Sequence, residues 1–232
     1  MPSSLRLAVA SAVAAFASSL AGADVVAGWS ITTALPVGPP PSGASYVYGL
    51  ADLGTNTVGS SLSGVHAAAA TVWTSPSGNG SQFSLSSNTW AIGDYYEVRL
   101  STLGFTDINI SWDQARSSTG PSSFSLIMSV DGGANFTTLL ASYAVLQSGG
   151  GGAPGTWGAS TPRQAIYTVS SAAAGAANQA DVIFRMVSLV AAGGTSGSSR
   201  IDNISVEGVV IPAPGAVALL GLAGLAARRR RA

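Results

Sequence analysis

Only one histidine occurs in the chain, His66 in Gly64-Val65-His66-Ala67, and there is no cysteine. A Ser-His-Asp hydrolase would have to use His66 as its base, yet no Gly-x-Ser-x-Gly turn that presents a nucleophilic serine is found. Thiolate catalysis, disulfides and Cys-ligated zinc are excluded, and one imidazole leaves too few ligands for the usual zinc sites. Paired carboxylates for glycoside hydrolysis would be Asp94 with Glu97 or Asp107 with Asp113. Neither pair stands in an apolar run that would hold one member protonated, and the ordinary reading is solvated strand edges and loop caps. Oxygen ligands for calcium are more plentiful. Asp202 and Asn203, with Asp24, Asp52 or Asp181, are the candidate set, although no EF-hand spacing is present.

Five tryptophans, at 29, 73, 90, 112 and 157, offer rings that could stack on the apolar face of a sugar. Trp157 in a glycine-rich loop and Tyr95 on the polar side of its strand are the expected exposed platforms. Trp112 shares a face with Ile108 and Ile110 and reads equally as core. Asp113 and Arg116, at the end of the Trp112 strand, form either a polar binding rim or a local ion pair worth under about 1 kcal/mol.

The elements that must position these residues are strands. Period-2 alternation runs through Tyr96, Val98 and Leu100, through Ile108, Ile110 and Trp112, and through Phe124, Leu126, Met128 and Val130. Further strand-like runs are Val25–Ile31, Tyr46–Ala51, Val65–Trp73, Gln82–Leu85, Thr137–Tyr143, Ile166–Val169, Val182–Ser188 and Arg200–Val206. Asp131-Gly132-Gly133 reads as a hairpin turn. Helical spacing is confined to the Ala-rich stretch Ser171–Ala177, which Gly175 interrupts. About ten strands predict an all-β fold with a single β-sandwich, jelly-roll-like domain over residues 24–208. Gly149–Gly155 is expected to be a loop within it rather than a domain boundary.

Of 232 residues, 47% are hydrophobic and only 9% charged, against about 25% charged in ordinary soluble domains. Between residues 24 and 211 five arginines face all ten acidic residues, a formal charge of −5 with no lysine. Nucleic acid is therefore not an expected partner, because phosphate neutralisation needs clustered cations. Residues 1–23 read as a signal peptide: Arg6, an apolar stretch from Leu7 to Leu20, and small residues in Ala21-Gly22-Ala23 before the cleavage site at Asp24. At the other end, residues 209–232, Pro212-Ala213-Pro214 precedes an apolar segment and the run Arg228, Arg229, Arg230 and Arg231. Gly215 to Ala227 would give about 20 Å of helix, a short crossing for a hydrocarbon core of about 30 Å. The arginines should remain cytoplasmic.

This three-part tail resembles the PEP-CTERM sorting signal of Gram-negative bacteria, with Ala213 where that family has Glu. The resemblance implies transient residence in the inner membrane, an exosortase-like membrane protease as partner, and delivery to the cell envelope, surface or extracellular matrix, with exopolysaccharide as a further partner. The segment from Ser111-Trp112-Asp113-Gln114 to Asp131-Gly132-Gly133, with Arg200-x-Asp202-Asn203-x-x-Val206, also resembles β-sandwich modules of bacterial surface proteins, many of them shaped like carbohydrate-binding or galactose-binding-like domains. It implies a non-catalytic protein that binds carbohydrate, without a cofactor beyond a structural calcium ion. The competing expectations are a secreted polysaccharide-active or esterase-like hydrolase and a purely structural surface protein.

Overall fold

Alternating burial builds the sandwich, as β6 (Tyr95–Leu100) illustrates: Tyr96, Val98 and Leu100 point into the core, while Tyr95, Glu97 and Arg99 do not. The computed structural model describes residues 22–35, 41–150, 155–160 and 166–212. The signal-peptide reading and the sorting motif from Ala213 through Pro214 to Arg228–Arg231 lie outside the described residues. Pro212 is described and exposed.

Thirteen strands form among the described residues. One sheet is antiparallel throughout, in the order β2 (Ser45–Gly49), β3 (Ser61–Val65), β6, β12 (Val182–Ser188), β8 (Ser123–Ser129) and β9 (Thr137–Ala144). The other has seven strands. Its spine is β10 (Leu146–Gln147), β7 (Phe105–Arg116), β13 (Ser199–Val210), β5 (Leu85–Ser87) and β4 (Trp73–Thr74). On its flanks β1 (Asp24–Trp29) pairs with β13 and β11 (Thr168–Ala172) with β7. The all-β sandwich is thus as the alternation predicts.

Between the sheets lie Trp29, Trp73, Trp112, Tyr96, Phe124 and Phe184, all fully buried. Each such side chain removed from water contributes about 1.5–3 kcal/mol. Trp73 reaches across to β3, where a Cβ on Gly64 would stand 2.4 Å from its ring, so only glycine leaves room. On the far face of the six-stranded sheet, Arg185 pairs with Glu97 directly opposite it, and Arg99 with Asp181.

Four local readings differ from the structure. Val65–Trp73 is not one strand: β3 ends at Val65, and the turn that follows is held by Asp94, whose Oδ1 accepts the Ala67 N–H. The Gln82–Leu85 strand forms later, over Leu85–Ser87. Ser171–Ala177 is the end of β11 followed by turns, with Gly175 at φ +91°. The last strand runs on to Val210. The hairpin turn at Asp131-Gly132-Gly133 is present, with both glycines at positive φ and Asp131 accepting from Asn135.

Two bulges shape the β7–β13 ladder. One lies between Glu207 and Val209, near Asp107; the other lies between Asp202 and Ser205. Asp107 and Asn203 both take left-handed backbone, which Asp and Asn tolerate better than most residues. The second bulge turns the Asn203 amide toward Asp113, where it donates to Oδ2.

Candidate functional site: an arginine pocket on the seven-stranded sheet

A register row crosses the seven-stranded sheet as Thr74, Ser86, Arg200 and Ala115 on β4, β5, β13 and β7. Directly opposed residues share a face. The adjacent row is Trp73, Ser87, Ser199 and Arg116; its first three members are buried, so the Arg200 row faces outward, and Arg116, at the end of β7, is partly exposed beside it. There a pocket of about 400 Å³ opens, lined by Arg116, Arg200, Ser86, Asn88, Ser148 and Ser198. Val72 and Pro76 add apolar surface. Among the described residues no carboxylate lines it.

Arg200 is held on three sides. Its Nη1 donates to the Ser77 carbonyl and its Nη2 to Ser148 Oγ. Its guanidinium carbon lies 4.8 Å from the Trp157 ring centroid, a cation–π distance. Burial lowers its pKa, while Tyr167 and Asp202 oppose the shift. Arg116 donates from Nε to Val145 O and from Nη1 to the carbonyls of Ser117 and Ser118. Among the described residues its Nη2 meets no acceptor. Among the described residues the ion pairs of arginine are Arg99–Asp181 and Arg185–Glu97. Arg116 and Arg200 are in neither.

Asp113 and Asp202, paired across the ladder, fasten the Gly78–Phe83 loop beside this pocket. Asp202 Oδ2 accepts the Asn79 N–H and the Ser81 hydroxyl. Asp113 Oδ2 accepts from the amides of Asn79 and Asn203, and Oδ1 from the Thr168 hydroxyl. Burial pushes the Asp202 pKa up to about 6 against the donors from Ser81, Asn79 and Asn203. The Asp202 Oδ1 atom is buried without a hydrogen-bond partner.

These positions correct several expectations. Trp157 is not an exposed platform: it is 3% exposed and packs edge-on against Tyr167 beside Ala115, under Arg200. Tyr95 is half-buried, with the Arg185 guanidinium 4.3 Å from its ring centroid, so its near face is already stacked. Asp113 and Arg116 form no ion pair, because Asp113 lies under the loop while Arg116 turns to carbonyls at the strand end. Arg116 does line a pocket. Asp202 and Asn203 are not joined by Asp24, Asp52 or Asp181 in a cluster of three acidic ligands among the described residues. Calcium takes six to eight oxygens; here Asp202 Oδ2 and both Asp113 oxygens are occupied by donors, and the Asn203 amide nitrogen points to Asp113. Among the described residues no three His, Asp or Glu side chains converge as metal ligands. The carboxylate pairs separate: Glu97 is bound to Arg185, Asp94 is buried beside His66, Asp107 is exposed and Asp113 is buried.

The buried polar residues that sequence reasoning missed form a seam through this end of the core. The Trp112 indole and the Tyr143 hydroxyl both donate to Gln114 Oε1, and Gln114 Nε2 donates to Ser199 Oγ. Nearby, Ser87 Oγ lies 3.1 Å from His66 Nε2, and His66 Nδ1 lies 3.2 Å from Asp94 Oδ2. The order is that of a hydrolase triad, but Ser87 is 1% exposed, and its hydroxyl shares the interior with Tyr96. The signal that could have found the seam is Asp113-Gln114 itself, two polar residues in succession inside a strand.

The chain matches no family model and no curated protein. Its fold is similar to three solved domains, among others. With the K3 cleaved adhesin domain of Lys-gingipain from Porphyromonas gingivalis it shares 16% identity at a TM-score of 0.42, over 78% of this chain and 98% of that one. With the family 11 carbohydrate-binding module from Clostridium thermocellum, in complex with a β-1,3-1,4-mixed-linked tetrasaccharide, the values are 12% and 0.38, over 74% and 100%. With the module TmCBM61, in complex with β-1,4-galactotriose, they are 14% and 0.35, over 64% and 88%.

Proposed function

We propose that this chain is an exported, non-catalytic surface protein whose β-sandwich binds polysaccharide in the pocket between Arg116 and Arg200. In this reading the PEP-CTERM-like tail and an exosortase-like protease deliver it to the envelope or extracellular matrix of a Gram-negative bacterium. The observation that carries the reading is the pocket, in which Ser86, Ser148, Ser198, Asn88 and two arginines line one cavity together with the apolar side chains of Val72 and Pro76. A sugar ring needs that mixture of hydrogen-bonding groups and apolar contact. The volume of about 400 Å³ falls within the range of about 300–1,000 Å³ usual for ligand pockets. Depletion of the chain by a panel of insoluble neutral and acidic polysaccharides, in calcium and in EDTA, tests it. Saturable binding to at least one polymer is expected; binding to none under either condition overturns it.

A second reading, an esterase-like hydrolase, has one observation in its favour: the Ser87–His66–Asp94 alignment. The burial of Ser87 weighs against it, because a nucleophile must reach a scissile carbonyl.

A further inference from the structure

Resting on the polysaccharide-binding reading, we infer that the pocket selects an acidic sugar, whose carboxylate is clamped between Arg116 and Arg200. Three observations converge. First, the two described arginines without a carboxylate partner are the two that line this one pocket. Second, Arg200 is half-buried and pre-set by Ser77, Ser148 and Trp157. A half-buried cation held by neutral acceptors has lost part of its hydration, and a bound carboxylate would offset that loss. Third, Arg116 Nη2 meets no acceptor among the described residues, so a planar carboxylate can take a charge-assisted hydrogen bond there.

The ring hydroxyls of the same sugar would meet Ser86, Ser148 and Asn88. Non-specific attraction does not supply this preference. The domain's formal charge of −5 repels a polyanion at long range, so recognition must arise locally, in the pocket.

The test is titration calorimetry of the full chain with oligogalacturonate, oligomannuronate and a glucuronate oligosaccharide, each beside its methyl ester. The ester keeps the ring and removes the charge. At least one free acid is expected to bind, about tenfold or more tighter than its ester. Arg116→Gln is expected to weaken the acid by a similar factor and to narrow the difference between acid and ester. Because Arg116 lies at the strand end, this variant should fold; circular dichroism melts check it, and Arg200→Gln is the second variant. The terminal arginine run is identical in both chains and cancels in the comparison.

An ester that binds as tightly as the acid overturns the inference while the polysaccharide reading stands. So does acid binding that neither Arg116→Gln nor Arg200→Gln weakens, or binding only to neutral or sulfated polymers. Binding to no oligosaccharide and no polymer of the panel removes both.

Discussion

The Arg200 guanidinium rests on the Trp157 ring at 4.8 Å, so the aromatic residue that most resembles a sugar platform instead supports a charged one. Trp157 therefore acts on any ligand through Arg200. Trp157→Ala removes a ring buried against Tyr167 and Ala115 and should cost about 3–5 kcal/mol. Trp157→Phe keeps an aromatic face and discards an indole N–H that is buried without a partner, so it should cost less than about 1.5 kcal/mol. Urea melts of both variants check this. Equal losses would show that the ring's shape and its stacking under Arg200 are irrelevant.

Asp202 gives a pH signature. Its pKa is raised by burial from 3.8 to about 6, so the folded chain keeps a proton that the unfolded chain has released. Stability from this group is therefore greatest below about pH 4, falls as pH rises to about 6, and is flat above. The full span is about 3 kcal/mol. Asp202→Asn cannot titrate, so the stability of the wild type relative to this variant should decline by about that amount between pH 4 and 6. A difference independent of pH would mean that Asp202 ionises normally in the fold. Repeating the series with calcium and with EDTA separates a further case: an ion on Oδ1 would hold the carboxylate ionised and flatten the slope in calcium alone.

What the sequence made legible follows from single-face burial. In β6 and β12 one face meets the core, and alternation assigns Tyr96, Val98, Phe184 and Met186 inward without help from the rest of the chain. At the end of β7 the rule fails, because a second cover lies over the outer face. The Gly78–Phe83 loop closes over Asp113, and Trp157 with Tyr167 closes over Ala115. Both covers come from distant parts of the chain, and alternation within one strand carries no trace of them. For the same reason Arg116 was legible as a polar residue at a strand end, while Arg200 was not its visible partner: the register sets Arg116 opposite Ser199, one place along the ladder from Arg200, and both reach one pocket only where β7 ends.

The same loop makes Gly78 irreplaceable. An added Cβ would stand 2.0 Å from Ser81 Oγ, 2.2 Å from Asp202 Oδ2 and 2.3 Å from the Phe83 carbonyl. Gly78→Ala must displace the loop and should cost about 1–3 kcal/mol, lowering the melting temperature by roughly 2–4 °C per kcal/mol in a chain of this size. Gly194, with nothing within 4 Å, is the control: Gly194→Ala should change stability by less than about 0.5 kcal/mol. Equal melting temperatures for the two variants would remove the fastening role assigned to Asp202 and Ser81.

The remaining prediction separates a triad by arrangement from a triad by function. Asp94 accepts the backbone N–H groups of Ala67 and Ala91, which ties the turn after β3 to the start of β6. That role explains a buried carboxylate without invoking catalysis. Burial pushes the His66 pKa below its ordinary 6.5, with the Asp94 charge opposing. The imidazole is therefore neutral near pH 7, and the stability it contributes is full above 6.5 and is lost as pH falls through the window below. Asp94→Ala leaves two backbone donors unpaired and should cost about 2–4 kcal/mol. Ser87→Ala removes one hydrogen bond and should cost about 1 kcal/mol. A structural role predicts this ordering together with no reaction of the folded chain with a fluorophosphonate. Stoichiometric labelling at Ser87, abolished by His66→Ala in a chain that still folds, would reverse the assignment and make the buried seam an active site that opens.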